Sequence, residues 1–371
     1  MKVIIYSVII LIYFFTSNSY SQINVNSDLF EEDSTLSDCN HKDINLGYKN
    51  YGISFGNSSY HTGIRVNFSD CGIKEINGIN ISLWKPEENP NSEINGAAIG
   101  LATLASRIHG INLGIAASIS SERMTGFNLG GLALVSGGDI IGVNIGGLAQ
   151  VAQNNIKGIN IGGLALVCQG KISGINLGGL ALVSEKEMFG MNLSSLALVS
   201  QSEIKGINIA GLAAVSNSNI TGFNAAGLAL VSQESIYGFN FGGLALVGIK
   251  GIKGINFGGL GVISEEGDIV GISTAIGKIS TFSDIKGLSF AGYKTEAENY
   301  YGANFSICWT EIDLLKGVSF SGYNKIKEQF GLTIGLFNIA EMLNGVQIGL
   351  INIADNNPQP FKVLPFVNLH L

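Results

Sequence analysis

The feature that most constrains this chain is a sixteen-residue sentence repeated from Gly110 to about Ser264. Gly110, Gly126, Gly142, Gly158, Gly174, Gly190, Gly206, Gly222, Gly238 and Gly254 recur at that spacing, each opening a Gly–apolar–Asn–apolar run. A short fixed period makes the fold an array of equivalent units, in which each needs its neighbours to complete a core. Counted from Gly206 as zero, bulky aliphatics stand at positions minus two, one, three and six, and usually at eight, with Asn at two and Ala at seven. A flat strand sends alternate residues to opposite faces. Positions one, three, six and eight therefore share a face only if the chain bends between three and six. Gly pairs such as Gly130-Gly131 and Gly178-Gly179, or Ser194-Ser195, stand there, and a second polar bend follows at ten to thirteen, as in Ser200, Gln201, Ser202 and Glu203.

Each repeat thus reads as two short strands and two corners. The predicted fold is all-β, a parallel β-solenoid of 14–16-residue turns with N- and C-terminal caps. Two inward columns are expected: Phe127, Ile159, Ile175, Ile207 and Ile255 in one, and Leu132, Leu164, Leu180, Leu212 and Leu260 in the other. The alternative is an outer-membrane antiparallel β-barrel with one strand of ten or eleven residues per repeat. That arrangement points Leu132, Leu134, Leu164 and Leu166 into a lumen that should be polar.

Residues 1–21 carry Lys2, an apolar run from Val3 to Phe15 and a small-residue end at Ser19–Ser21, the pattern of a secretory signal peptide. Residues 22–77 read as a polar, acidic arm followed by a capping hairpin, Tyr48–Phe55 and Tyr60–Phe68, joined through Gly56–Ser59. Residues 78–357 form the repeat domain. Its spacing loosens at Gly271, Gly287, Gly302 and Gly317 and tightens to fourteen at Gly331 and Gly345, where Asn338 and Asn352 take the Ala slot. Residues 358–371 close it with a strand or cap from Val363. The formal charge of −7 becomes −8 without Lys2 (−7 − 1), giving no footprint for nucleic acid. Charged residues make up only 13%, against about 25% in an average soluble domain, so the chain is unusually apolar for a soluble protein.

The G-[ILVFM]-N-[LIF]-G-G-L-A-L-V unit, the stretch from Gly345 to Ala354 and the tail bearing Val363, Leu364 and Pro365 resemble the bacterial surface repeat-containing proteins of leptospires and other Gram-negative groups. The resemblance spans nearly the whole mature chain. It implies export to the cell surface or outer membrane of a Gram-negative bacterium, or secretion, and it brings no catalytic residues. Coil length alone is similar to the β-roll heads of trimeric autotransporter adhesins, which suggests adhesion.

No catalytic, cofactor-binding or metal-binding set is read from the sequence, and the chain is expected not to be an enzyme. His41, His61, His109 and His370 are scattered, without metal spacing. The Gly271–Lys278 stretch has the wrong glycine spacing for a phosphate loop and Ile279 where Ser or Thr is needed. Glu185, Glu187, Glu203 and Glu234 sit at the polar corner as solvated turn residues. A polysaccharide-degrading solenoid would need clustered carboxylates on a strand face, which the repeats lack. Cys168 replaces a corner Ser and reads as a free thiol. Cys39 and Cys71 flank the expected cap and could pair in an oxidising compartment.

Two patterns rise above scaffold. Asn112, Asn128, Asn144, Asn160, Asn176, Asn192, Asn208, Asn224, Asn240 and Asn256 form one column, read as a hydrogen-bonded ladder that fixes register, with a ligand-facing polar stripe as the alternative. The outward pair at seven and nine, represented by Ala133, Val135, Ala165, Val167, Ala181, Val183, Val199, Ala229 and Val231, forms an uncharged strip. Apolar patches of that extent mark interfaces. The expected partner is another protein, a second copy or envelope lipid, and the expected role is structural or adhesin-like.

Overall fold

A glycine in a conformation closed to other residues opens each coil. In the computed structural model, which describes Cys39 and residues 42–370 apart from residues 85 and 88, Gly206 has φ +110°. A β-carbon added there would lie 2.1 Å from the carbonyl oxygen of Gly190, one coil earlier. The glycine keeps the strand's alternation and pairs one-to-one with Gly190 of the coil before. Lys205 and Ile207, on either side of it, both face outward, while Ile204 and Asn208 both face inward. The predicted signal peptide, His41 and most of the predicted acidic arm lie outside the described residues.

The described chain is all strand and turn, with no helix. It is a parallel β-solenoid: Asn176 pairs with Asn192 and Val183 with Val199, like residue over like residue. An antiparallel barrel is excluded by that parallel register. Two units are distinguished, Met1–Gly147 and Leu148–Leu371.

In the first unit, β1 (Asp43–Tyr48) pairs antiparallel with β2 (Tyr51–Gly56), turning through Lys49 and Asn50. β2 then pairs in parallel with β3 (Tyr60–Asn67), β3 with β4 (Glu75–Ser82), and β4 with the start of β5 (Glu93–Gly130). This corrects the expected hairpin: Tyr48–Phe55 and Tyr60–Phe68 belong to successive coils, with Gly52 over Gly63 and Gly63 over Gly78. The physical reason is that Gly52 and Gly63 already take the positive φ of the coil-opening glycine, at +126° and +130°. They open Gly-Ile-Ser-Phe and Gly-Ile-Arg-Val, the repeat unit with its Asn replaced. β6 (Ala133–Ser136) and β7 (Asp139–Gly146) lie back on β5, Gly142 over Gly126.

Arg65, in the Asn slot of its coil, is fully buried beside Asp70. Its guanidinium donates to Asp70, to Asn80 Oδ1 at 2.6 Å and to Asn57 Oδ1 at 2.9 Å, and Asn80 donates to the other Asp70 oxygen at 2.8 Å. Close by, Cys39 and Cys71 form a disulfide with Cα atoms 5.7 Å apart.

The second unit repeats a seven- or eight-residue strand (Ile172–Gly178, Met188–Ser194, Ile204–Ala210) and a four-residue strand (Ala181–Ser184, Ala197–Ser200, Ala213–Ser216). From Lys294 to Ala354 the chain stays extended as it winds. Val363–His370 closes the last coil antiparallel, Gly345 against His370 and Ile353 against Val363.

The interior differs from the expected one. Ile156, Ile172, Met188 and Ile204 at minus two, and Leu166, Leu182, Leu198 and Ala214 at eight, are fully buried. The two columns expected inside face out: Ile175 and Ile207 are 42% exposed and Leu212 is 44% exposed. Position one lies three residues from minus two, so ordinary strand alternation puts it on the opposite face, and the corner turns position six outward.

Between the aliphatic columns run two polar ones. From Asn160 to Asn240 each amide Nδ2 donates to the next Asn Oδ1 at 2.8 Å, and Asn256 passes the chain to Ser273 at 3.2 Å. In the first unit Asn128 donates to Asn144 at 2.8 Å, but Asn112 turns aside, accepting from Thr103 and donating toward the Met124 sulfur. Because every member is buried, the column is a ladder and not a ligand-facing stripe. At position ten the Ser column ties each coil to the one before, as when Ser184 donates to Gly170 O at 2.8 Å and Ser200 to Lys186 O at 2.6 Å. Cys168 is a buried free thiol in that column, directed at Asn154 O. In the fourteen-residue coils the shortened corner turns position seven inward, so that Asn324, Asn338 and Asn352 form a further ladder at 2.7–2.8 Å.

Candidate functional site: the apolar outer faces

With amides and hydroxyls turned inward, bulky apolar side chains are left outside. On the longer-strand sheet of the second unit, positions minus one, one and three form three outward columns. Position one is aliphatic or aromatic (Ile175, Met191, Phe223, Phe239), and position three runs from Ile161 through Phe257, Phe290, Phe305 and Phe320 to Ile348. The rings stack along the column: Phe290 on Phe305 at 5.1 Å and Phe305 on Phe320 at 4.8 Å, with Phe223 on Phe239 at 5.2 Å in the column beside it. Strand spacing of about 4.8 Å between coils sets these distances, so the stacking follows from the register.

Position minus one carries Lys157, Lys205, Lys253, Lys286 and Lys316, with Phe189, Tyr237 and Tyr301 between them and Phe330 after the last. Lys253 lies 5.6 Å from the Tyr237 ring and Lys316 5.9 Å from that of Tyr301, while Lys205 and Lys286 pair with corner carboxylates. At the corner, Ile276, Ile307 and Leu336 project beyond Gly292 and Gly322. Together with the phenyl column they enclose an apolar groove of about 870 Å³.

The predicted Ala/Val strip lies on the outer face of the shorter-strand sheet. Ala133, Val135, Ala165, Val167, Ala181, Val183, Val199 and Ala229 are half-buried there and Val231 is buried, 6% exposed. The strip is outward as read, but it is the smaller part of the apolar surface. The signal for the larger part was the Asn between positions one and three: once Asn is inside, its neighbours must be outside.

The polar groups engage one another. Lys171 pairs with Glu187 at 2.9 Å, Lys205 with Glu203 at 2.7 Å and Lys250 with Glu234 at 3.0 Å, along the polar corner. Glu187 and Glu234 are held below the ordinary carboxylate value chiefly by the hydrogen bonds from Lys171 and Lys250. His61 bonds Gly52 O, His109 the Thr125 hydroxyl and His370 the Asn357 side chain. Among the described residues, Cys39, Cys71 and Glu87 are the one group of three metal-type ligands drawn together, and its two sulfurs are joined to each other.

Past Gly271 the shorter-strand face becomes charged. Lys294 bridges Glu311 at 2.7 Å and Glu296 at 3.3 Å, Lys278 contacts Glu296, and Lys325 reaches Glu311 at 3.0 Å. Burial alone would raise Glu296, but the hydrogen bond and charge of Lys278, with Lys294, carry it below the ordinary carboxylate value. Glu311 is lowered first by its bond from Lys294. A lowered carboxylate stabilises the fold fully above its unfolded value and loses that contribution as pH falls through its folded value. Unfolding followed in urea should therefore show a lower midpoint at pH 3 than at pH 7, and Glu296→Gln with Glu311→Gln should shrink the difference.

No protein-family model, curated protein or solved structure matches this chain.

Proposed function

We propose that this protein is an exported, non-catalytic surface component whose β-solenoid serves as a structural or adhesin-like binding element through its outer faces. The observation that carries this reading is the inverted cross-section, with amides and hydroxyls inside and bulky apolar columns outside. Large exposed apolar patches are characteristic of surfaces that meet a partner. The Cys39–Cys71 disulfide supports an oxidising destination, as do the apolar N-terminal run and the resemblance to surface repeat proteins.

Fractionation of expressing cells tests the reading. The protein should lose residues 1–21 and appear in the envelope or medium, released from membranes by high salt or carbonate. An uncleaved chain confined to the cytosol would overturn it. Val183→Lys with Val199→Lys tests the Ala/Val strip. Both side chains face outward, so the β-rich circular dichroism spectrum should persist while surface retention drops; unchanged retention would remove the strip from the interface.

A further inference from the structure

The longer-strand face of the second unit has a feature that an unspecific greasy surface lacks. From its central coil onward, each coil that carries Lys at minus one also carries Phe at three: Lys253 with Phe257, Lys286 with Phe290 and Lys316 with Phe320. The earlier Lys157 and Lys205 share their coils with Ile161 and Ile209. The coil before the Lys–Phe coils pairs Tyr237 with Phe241, and of the two between them one pairs Tyr301 with Phe305 and the other carries Val270 and Thr274. From these pairs we infer that this face binds the same face of a second copy, with the two stacks parallel about a two-fold axis running along them. Such an axis keeps each coil at the level of its counterpart and exchanges left for right. Position one then meets position one at the axis, and each minus-one row meets the other copy's position-three column.

The chemistry of those contacts is favourable. A lysine over a phenyl face is a cation–π pair, and its aliphatic stem covers apolar surface. The groove walled by Ile276, Ile307 and Leu336 lies beside that phenyl column and receives the incoming row. The antiparallel alternative sets one lysine row directly against the other, and like charges repel. Spacing also selects a second copy, because ridges repeating every ~4.8 Å are matched by an array of the same repeat. The area suffices as well. Thirteen coils, Gly158 to Gly345, at that spacing and about 13 Å from row to row give roughly 800 Å², and standard stable interfaces bury about 800 Å² per partner.

This inference rests on the reading of the outer faces as binding surfaces, and the measurement separates the two. The full chain, purified without detergent, should sediment as a dimer at about 10 µM, and Phe290→Glu with Phe305→Glu, both outward, should weaken dimerisation roughly 100-fold. In a Cys308→Ser background, Leu288→Cys lies at the axis and should be captured as a cross-linked dimer by a short bifunctional maleimide, while Lys286→Cys at the rim should not. The cross-link decides the matter even if the glutamate variant fails to fold. A monomeric wild type, a dimer indifferent to the glutamates, or cross-linking at Lys286→Cys instead of Leu288→Cys would overturn the pairing. So would a monomer that floats with phosphatidylglycerol vesicles, which would assign the face to lipid. A monomer that still reaches the cell surface sinks the pairing alone; a dimer confined to the cytosol sinks the surface role alone.

Discussion

Asn208→Ala should destabilise the protein by about 3 kcal/mol, whereas Ile207→Ser next to it should cost about 1 kcal/mol, reversing the usual ranking of a polar and a large aliphatic residue. Asn208 is fully buried, accepts from Asn192 and donates to Asn224, both at 2.8 Å. Truncation leaves a donor on one side and an acceptor on the other, where water does not reach. Each orphaned buried group costs roughly 1–3 kcal/mol. Ile207 is 42% exposed and gives up only contact with its column neighbours Met191 and Phe223. Urea midpoints of the two variants, with hydrogen exchange to locate the damage, check the comparison. A larger loss for Ile207→Ser would mean that position one is inside after all.

Asp70→Ala should cost about 3–5 kcal/mol, the penalty for removing one member of a buried ion pair. Arg65 has no exposed surface and Asp70 is 2% exposed, so the variant leaves a cation that water cannot solvate. Asn57 and Asn80 would hold it only with neutral oxygens. Replacing both, Arg65→Met with Asp70→Leu, should recover part of the loss: no charge is left uncompensated, but the buried Asn80 amide gives up its bonds to both side chains. A double-mutant cycle on thermal unfolding gives the coupling directly. Additive losses would show that the pair is not a unit.

These two expectations also mark where sequence reasoning ended. The period, the parallel stack, the corners and the Asn ladder were legible because each follows from spacing: residues sixteen apart lie over one another, and stacked amides bond along the stack. Which side faced in was not legible. Aliphatics stand at both minus two and one, three residues apart and so on opposite faces of one strand, and the period alone does not choose between them. The burial of Ile204 and Asn208 decides it, and the column of Ile207 moves from core to surface. The first coils were hidden because Ser54 and Arg65 replace Asn there, although Gly52 and Gly63 already stand in the coil-opening place. The outer faces could have been found by asking which residues must share a side if Asn does not face solvent.

The one-way order of the ladder has an electrical consequence. Sheets ordinarily carry little net dipole, but here the seven asparagines from Asn160 to Asn256 all point their donors toward the C-terminus. With about 3.5 D for each amide, they add head to tail as peptide groups do in a helix, and the sum is sealed in a dry interior. Coils that look interchangeable therefore occupy an oriented field, positive toward Ser273 and negative toward Asn160. A coil inserted or lost as a whole preserves that polarity; a coil facing the other way would confront donor with donor, so such an array can lengthen or shorten but cannot reverse.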